Sequence, residues 1–397
     1  AIYLKGQRLE SYVPYNTGKN VKQLRIVSSY LRDGDTAVGV ILTISDITEL
    51  TEMRDAVKAL NTIQRLNRQL ELRNRVLQET FGRYLSDDVV REILDSPGGW
   101  KLGGQKRCLT ILMSDLRGFT LMSERMNPQD LVSSLNHYFG EMYEEISRYH
   151  GTLIEFLGDG MLVVFGAPSP SDTHASDAVA AAIGMQKRMK KVNRWNAEHG
   201  LEPYGMGIGI NTDTAILGNI GSEKRTKYGV LGAAVNLAGR IESYTTEGQI
   251  LISPGTRKAI GEELQISRSF NVQPKGLEKE ITLFQGTGIG RPYEVFLEQE
   301  QAEQLDPISP YPVCFTVLEG KHADGAALEG KLIAVSQKEA LLETDAKVSE
   351  YDNLLLEIGD GLYAKVSKAE ESCCRISFTA KPRNFETWLS ELVKHEA

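Results

Sequence analysis

The spacing of apolar residues changes character repeatedly along the chain. Over residues 21–46 it alternates, and "KQLRIVSSYL" and "AVGVILTIS" read as two strands closed by the turn signal "RDGD". From Ile47 to about Leu85 it turns helical. Leu50, Met53, Val57 and Leu60 recur three and four apart, succeeded less regularly by Ile63, Leu66, Leu70 and Leu77. The intervening positions are Arg, Gln, Asn and Glu, and no Pro or Gly interrupts before Gly82. A narrow apolar stripe on so long a polar helix predicts a dimeric coiled coil; one amphipathic helix packed on its own domain is the alternative.

The breaker cluster "SPGGWKLGG" at 96–104 marks a boundary. Strands and helices alternate beyond it. Strand "CLTILMSDL", a helix from about Pro128 to Tyr149, hairpin "TLIEFLGDGMLVVFGAP" and a helix over about 173–198 come first. Strand "YGMGIGINT", hairpin "AILGNIGSEKRTKYGVLG" and a helix from about Ala234 come next. This order predicts an α+β fold with a ferredoxin-like, palm-type mixed sheet and helices on one face. A dinucleotide-binding reading of "GMGIGI" fails, because its glycines lie inside a strand with no helix directly after. From about Pro307 short strands return, with turns at "EGKHADG" and "EIGDG", and predict a small β-barrel.

Composition narrows the function without naming it. The chain has 397 residues, enough for two or three domains, and carries 45 basic against 53 acidic side chains. That balance argues against a nucleic-acid partner. The absence of any run of 18 apolar residues argues against a membrane span. The opening "AIYLKG" has neither an initiating Met nor a signal-peptide pattern, and reads as the start of a fragment. Cys108, Cys314, Cys373 and Cys374 lack zinc spacing and read as reduced thiols of a cytoplasmic protein.

The candidate chemistry begins with acids in apolar surroundings. Asp115 ends the strand "LTILMSD", and Asp159 sits at the turn of "FLGDGM". Adjacent antiparallel strands would bring two such acids together as ligands for Mg²⁺ or Mn²⁺, hard cations that leave positions for phosphate oxygens. Asn236 and Arg240 lie four apart, on one helical face. An amide that holds a ribose and a guanidinium that offsets phosphate charge are what phosphoryl transfer asks for. Gly218 and Gly221 in "LGNIGSEKR" permit close backbone approach, with Lys224 and Arg225 just after, as a triphosphate cradle would need. Taken singly, each feature has a bland reading as a turn residue, a surface arginine or a glycine-rich hairpin.

Together "SDLRGFT", "FLGDGMLVVFGAP", "GIGINT…LGNIGSEKR" and "YGVLGAAVNLAGRIE" resemble the catalytic domain of class III nucleotidyl cyclases across about 105–290. The upstream "FGRYLSDDVVREIL" and "KLGGQKR" look like the segment that precedes this domain in sensor-linked bacterial cyclases. The resemblance implies a homodimer with active sites at the subunit interface and two Mg²⁺ or Mn²⁺ ions per site. One protomer would supply Asp115, Asp159 and the carbonyl of Leu116. Its partner would supply Asn236 to orient the ribose and Arg240 for the α-phosphate. Gly118, Phe119 and Thr120 would bind the substrate, and Lys275 and either Lys224 or Arg225 would contact its triphosphate. Ala233, Ala234 and Asp213 depart from the family's usual residues without touching these positions. The departures leave open a domain that binds nucleotide as a signalling module.

The same resemblance assigns the purine to Glu155 and Gly229. Adenine presents an acceptor at N1 and a donor at N6, and the adenylate enzymes usually carry Lys at the first position. Guanine presents donors at N1 and N2, which a carboxylate accepts and a lysine does not. Glu155 therefore favours GTP over ATP, making the expected activity that of a guanylate cyclase with adenylate cyclase as the alternative. Gly229 leaves guanine O6 to backbone or water.

Outside this region "SDITELTEM" resembles the end of a PAS sensor running into its signalling helix, with only part of such a domain present. The C-terminal "GAALEGKLIAVSQKEALLETD…LYAKVSKAEESCCRISF" loosely resembles a PilZ barrel. The arginine pair that would hold cyclic di-GMP is missing, so a structural or dimerising barrel is expected and cyclic di-GMP binding is not. The expected organisation is a PAS-like end at 1–46, a coiled-coil helix at 47–85 and a linker at 86–104. A cyclase domain at 105–292 and a barrel at 305–397 complete it.

Overall fold

A computed structural model describes residues 9–81, 89–92, 101–274, 279–298, 304–318, 327–370, 372–382 and 384–394. The chain divides into two compact units, Ala1–Arg83 and Tyr84–Ala397.

In the first unit three antiparallel strands, β1 (Leu9–Asn16), β2 (Val21–Asp33) and β3 (Thr36–Asp46), form a meander. The two strands expected at 21–46 are β2 and β3. Edge strand β1 is an addition, and its Pro14 is tolerated there because an edge position does not require the missing N–H. Helix α1 (Thr48–Phe81) starts at a built junction. Asp46 Oδ1 accepts hydrogen bonds from the Thr48 N–H at 3.1 Å and the Thr48 hydroxyl at 2.6 Å. Its other oxygen meets Lys22 Nζ at 2.7 Å. The Lys22 bond, then those from Thr48, hold the Asp46 carboxyl down to about 2. Leu50, Met53, Val57, Leu60, Ile63, Leu66 and Leu70 are all exposed along α1.

The second unit contains a nine-stranded mixed sheet among the described residues. Its central strands are β4 (Gly103–Leu116), β5 (Thr152–Leu157), β6 (Gly160–Phe165) and β7 (Met206–Ser222). They are joined by β8 (Arg225–Leu231), β9 (Ile250–Ile252), β10 (Leu264–Val272), β11 (Ile281–Ile289) and β12 (Val295–Phe296). The path runs β10-β11-β9-β7-β4-β6-β5, with β8 on β7 and β12 on β11. Among the described residues of this sheet only the β7–β9 pair is parallel. A short helix α2 (Phe119–Arg125) comes directly after β4, and the long helices α3 (Pro128–Arg148) and α4 (His174–Glu198) cover one face. Their Tyr138, Met142, Ile146, Val179 and Ile183 pack with Leu112, Val163, Ile208 and Ile210 of the sheet.

The expectation of helices on one face alone needs correction. Helix α5 (Ala233–Ser243) lies on the other face, where Ala234 and Ala238 pack with Leu109, Ile111, Val164 and Leu217. The strand "GMGIGIN" explains how: Met206, Ile208 and Ile210 point to the first core, and glycines alternate with them. A Cβ at Gly209 would press into the backbone of Glu242 and stand 2.7 Å from the Ala238 carbonyl. One at Gly207 would collide with the Thr245 hydroxyl. The absent side chains let α5 lie directly on the strand. Helix α6 (Pro254–Ile260), capped by the Ser253 hydroxyl, completes the domain.

Strands β13 (Asp306–Leu318), β14 (Leu328–Val335), β15 (Glu339–Glu343), β16 (Asn353–Leu356), β17 (Leu362–Ala369) and β18 (Cys373–Ala380) close into a barrel in the order β13-β14-β15-β18-β17-β16. A terminal helix α7 (Phe385–Lys394), not expected from the sequence, adds Phe385, Trp388 and Leu389 to the barrel's core. All four cysteines are free thiols.

The barrel is docked on the α+β domain through specific contacts. Tyr351 stacks on Phe270 at 5.0 Å and meets Tyr244 edge-on at 5.4 Å. Arg125 pairs with Asp360 at 2.8 Å. Lys365 of β17 is buried, and its Nζ donates to the carbonyls of Ser243 at 2.5 Å and Thr245 at 2.9 Å, at and just after the end of α5. Burial pushes the Lys365 ammonium down to about 7; neighbouring Arg117 adds to this and Asp115 opposes it.

This packing sets expectations for stability. Gly209→Ala forces its Cβ into the α5 backbone and is expected to cost about 1–3 kcal/mol in urea unfolding. Because the Lys365 pKa is lowered on folding, the unfolded chain binds more protons between pH 7 and the ordinary lysine value. Stability contributed at this site therefore rises with pH across that window and is least below it. Thermal melts in a chelator should show a larger gain from pH 7 to 9 for the parent than for Lys365→Met; equal gains would refute it.

Candidate active site

The two candidate metal acids come together at one end of the sheet. Strand β4 pairs with β6 from Thr110↔Phe165 to Ser114↔Met161, so Asp115 emerges beside the turn that carries Asp159. Asp159 is buried, and its Oδ2 accepts a hydrogen bond from the Leu116 N–H at 3.2 Å. Gly160 is forced here, since a Cβ would stand 2.6 Å from the Ser114 carbonyl and 3.2 Å from Asp115 Oδ1. The backbone of Gly160 thus lets the Asp115 carboxylate lie close to the turn that carries Asp159. Two hard oxygen donors so placed fit Mg²⁺ or Mn²⁺, and the partial exposure of Asp115 leaves a way in.

Arg117, in the same loop, has no role assigned by the sequence although "SDLRGFT" contains it. Its guanidinium lies 3.5 Å from Asp115 Oδ2 and forms an ion pair with Glu242 near the end of α5. It also reaches the Thr245 carbonyl at 3.4 Å, the same oxygen that Lys365 takes. Burial lowers the Arg117 pKa, and Asp115 and Asp159 oppose that shift. Gly118 starts α2 in a left-handed conformation at φ 68°, and the barrel strand β18 lies against it. A Cβ there would collide with Ala380 and stand 2.7 Å from the Thr379 carbonyl. Phe119 is half-buried and edge-on to Tyr204, while Thr120 is exposed.

The residues expected to act at the ribose and α-phosphate are on α5. Asn236 is exposed and Arg240 half-buried, and neither side chain has a hydrogen bond or ion pair among the described residues. They are presented outward, one turn apart.

The two positions expected to read the base lie on different strands, and β5 approaches β8. Glu155 Oε2 forms an ion pair with Lys227 Nζ, and Gly229 is two residues further along β8. Lys227 lies beyond the basic residues Lys224 and Arg225 that the sequence points to; its alternation with Gly229 is the signal that could have found it. Lys224 and Arg225 are exposed at the β7–β8 turn. Gly218 and Gly221 serve the fold instead of a free cradle. A Cβ at Gly218 would meet Gly103 and Gly104 of β4, and one at Gly221 would meet the Arg225 carbonyl. Lys275 lies outside the described residues, as does much of the expected linker at 86–104.

Comparisons with known proteins bear on the same region. Residues 104–286 match the family described as the adenylate and guanylate cyclase catalytic domain. The chain is 25% identical to adenylate cyclase 1 of Rhizobium meliloti over 275 residues, 69% of this chain and 39% of that protein. It is 32% identical to an adenylate cyclase of Anabaena cylindrica over 192 residues, 45% of this chain and 36% of that protein. Among solved structures it is similar to the guanylyl cyclase Cya2, with 50% identity and a TM-score of 0.49 over 50% of this chain and 100% of that one. The chain spans well under half the length of these two curated relatives. No described helix is long and apolar enough to cross a membrane. The carboxylates of Asp115 and Asp159 therefore lie within residues 104–286, the part of the chain that matches the adenylate and guanylate cyclase catalytic domain.

Proposed function

We propose that this chain is a guanylate cyclase that converts GTP into 3′,5′-cyclic GMP and pyrophosphate as a homodimer. The observation that carries the choice of base is Glu155, an acid where purine recognition in this family is expected, held at the sheet edge by a strand neighbour of Gly229. Its two oxygens accept the N1–H and N2–H of guanine, whereas adenine offers that position only one donor.

The residues divide the chemistry among themselves. Asp115, Asp159 and the Leu116 carbonyl would hold two divalent cations, which supply charge neutralisation at the phosphates and acidify the ribose 3′-hydroxyl. Asn236 fixes the ribose so that the 3′-oxygen faces the α-phosphorus in line with the leaving pyrophosphate. Arg240 offsets the charge that develops on the α-phosphate oxygens as the 3′-oxygen bond forms and the bond to the β-phosphate breaks. Lys275 and either Lys224 or Arg225 are assigned to the triphosphate, and Gly118, Phe119 and Thr120 to binding the substrate. The outward-facing Asn236 and Arg240 support a shared site, in which each catalytic pair serves the carboxylates of a second copy. The exposed apolar stripe of α1 supports a parallel coiled coil as part of the same dimer.

An adenylate cyclase is the second reading, favoured by Gly229, which contributes no donor to guanine O6. Paired turnover assays with Mg²⁺ and Mn²⁺ should show GTP consumed much faster than ATP, and a preference for ATP would overturn the proposal. The shared site has its own test. Asp159→Ala and Arg240→Ala should each abolish product. When the two inactive chains are mixed, about half the dimers are mixed and each holds one intact site, so about a quarter of parental activity should return. No recovery after confirmed subunit exchange would refute the shared site.

A further inference from the structure

Helix α2 is tied to the barrel at both of its ends. It has seven residues, of which only Met122 is buried, and no side chain caps its start at Gly118. A helix so short does not hold its own geometry in water, so its place is set by what packs on it. On one side Phe119 and Met122 pack with the core of the sheet. On the other, Gly118 faces Ala380 and the Thr379 carbonyl of β18, with no room for a Cβ between them. At the far end the Arg125 guanidinium donates to the Lys381 carbonyl at 3.2 Å and pairs with Asp360 at 2.8 Å. Asp360 stands in the turn between β16 and β17, flanked by Gly359 at φ 60° and Gly361 at φ 116°. The Arg125 side chain keeps only 12% of its exposure, so water screens this pair less than one on an open surface.

The barrel can serve as a support because it is itself fixed. Lys365 donates to two backbone carbonyls at the end of α5, and Tyr351 stacks on Phe270. The barrel's core is separate from those on the two faces of the sheet, so a change at Asp360 leaves the cores of both domains intact. The barrel also lies outside residues 104–286, so the motifs shared with known cyclases do not account for its hold on α2. Gly118, Phe119 and Thr120, assigned above to binding the substrate, open this same helix and move with it. We propose that Arg125 and Asp360 are positioning residues: through this pair the barrel holds α2 where Gly118, Phe119 and Thr120 receive the nucleotide. The inference rests on the cyclase reading and on that assignment, and is indifferent to the base. Such a hold lowers the cost of ordering the segment when substrate arrives, so it acts on affinity and not on the bond-making step.

The test uses the full chain with GTP and ATP, and with their 3′-deoxy analogues, which lack the attacking hydroxyl and report binding without turnover. Asp360→Asn keeps the shape of the side chain and removes its charge. It should raise KM for the better substrate about three- to tenfold and weaken the matching 3′-deoxy analogue in calorimetry by the same factor. The value of kcat should stay within about twofold. Amide exchange of residues 118–125 should quicken while that of β4 and β6 stays as it was, and Asp360→Glu should recover most of the affinity. Tighter binding by Asp360→Asn would mark a barrel that obstructs the site and overturn the proposal. A fall in kcat with affinity intact, or faster exchange throughout the sheet, would mean a merely structural role and count against it equally. A parent that neither binds the analogues nor turns over GTP or ATP would sink the cyclase reading and this inference together. A parent that does both, with Asp360→Asn matching it in KM and analogue affinity, would sink this inference alone.

Discussion

Two negative charges held side by side are the constraint around which this catalytic domain is arranged. Asp115 and Asp159 are brought together by the β4–β6 ladder, which fixes their backbones whether or not anything neutralises them. Like charges so placed repel, and the surrounding chain answers with donors: the Leu116 N–H on Asp159 and the Arg117 guanidinium near Asp115. Neither removes the excess of carboxylate oxygens packed beside Gly160. Such a pair suits a divalent cation, and the sheet holds it in place.

Arg117 carries this constraint outward. Its ion pair with Glu242 ties the carboxylate loop to the last turn of α5, the helix that presents Asn236 and Arg240. Glycines on the α5 face of β7 make that tie possible, because only a bare strand lets the helix come so close. Packing, electrostatics and the placement of reactive groups are therefore one arrangement, fixed by a few residues with no side chain at all.

Much of this is legible in the sequence. One acid stands at a strand end and the other at a hairpin turn, and the helical phase puts Asn236 and Arg240 on one face. The closed barrel also shows through its short strands and turns. The features that stay hidden are long-range. Lys365 meets Ser243 across more than a hundred residues, and no local periodicity encodes such a contact. Lys227 is hidden by its neighbours, since a run of basic residues at a hairpin reads as a solvated tip until β5 is seen to approach β8. Strand β1 is masked by Pro14, which argues against a strand anywhere except at an edge. The glycines of "GMGIGIN" mislead in the other direction: their alternation marks a strand but does not announce a helix on the bare side.

The carbonyl of Thr245 accepts from both Arg117 and Lys365, one from the catalytic domain and one from the barrel. Together with Ala380 against Gly118, it makes the barrel part of the wall behind the carboxylate loop. A catalytic domain severed from its barrel would bare that wall to water and return one shared oxygen to Arg117 alone. The packing unit around the carboxylate loop is therefore longer than the motifs that line it, and it reaches to a lysine on the barrel strand β17.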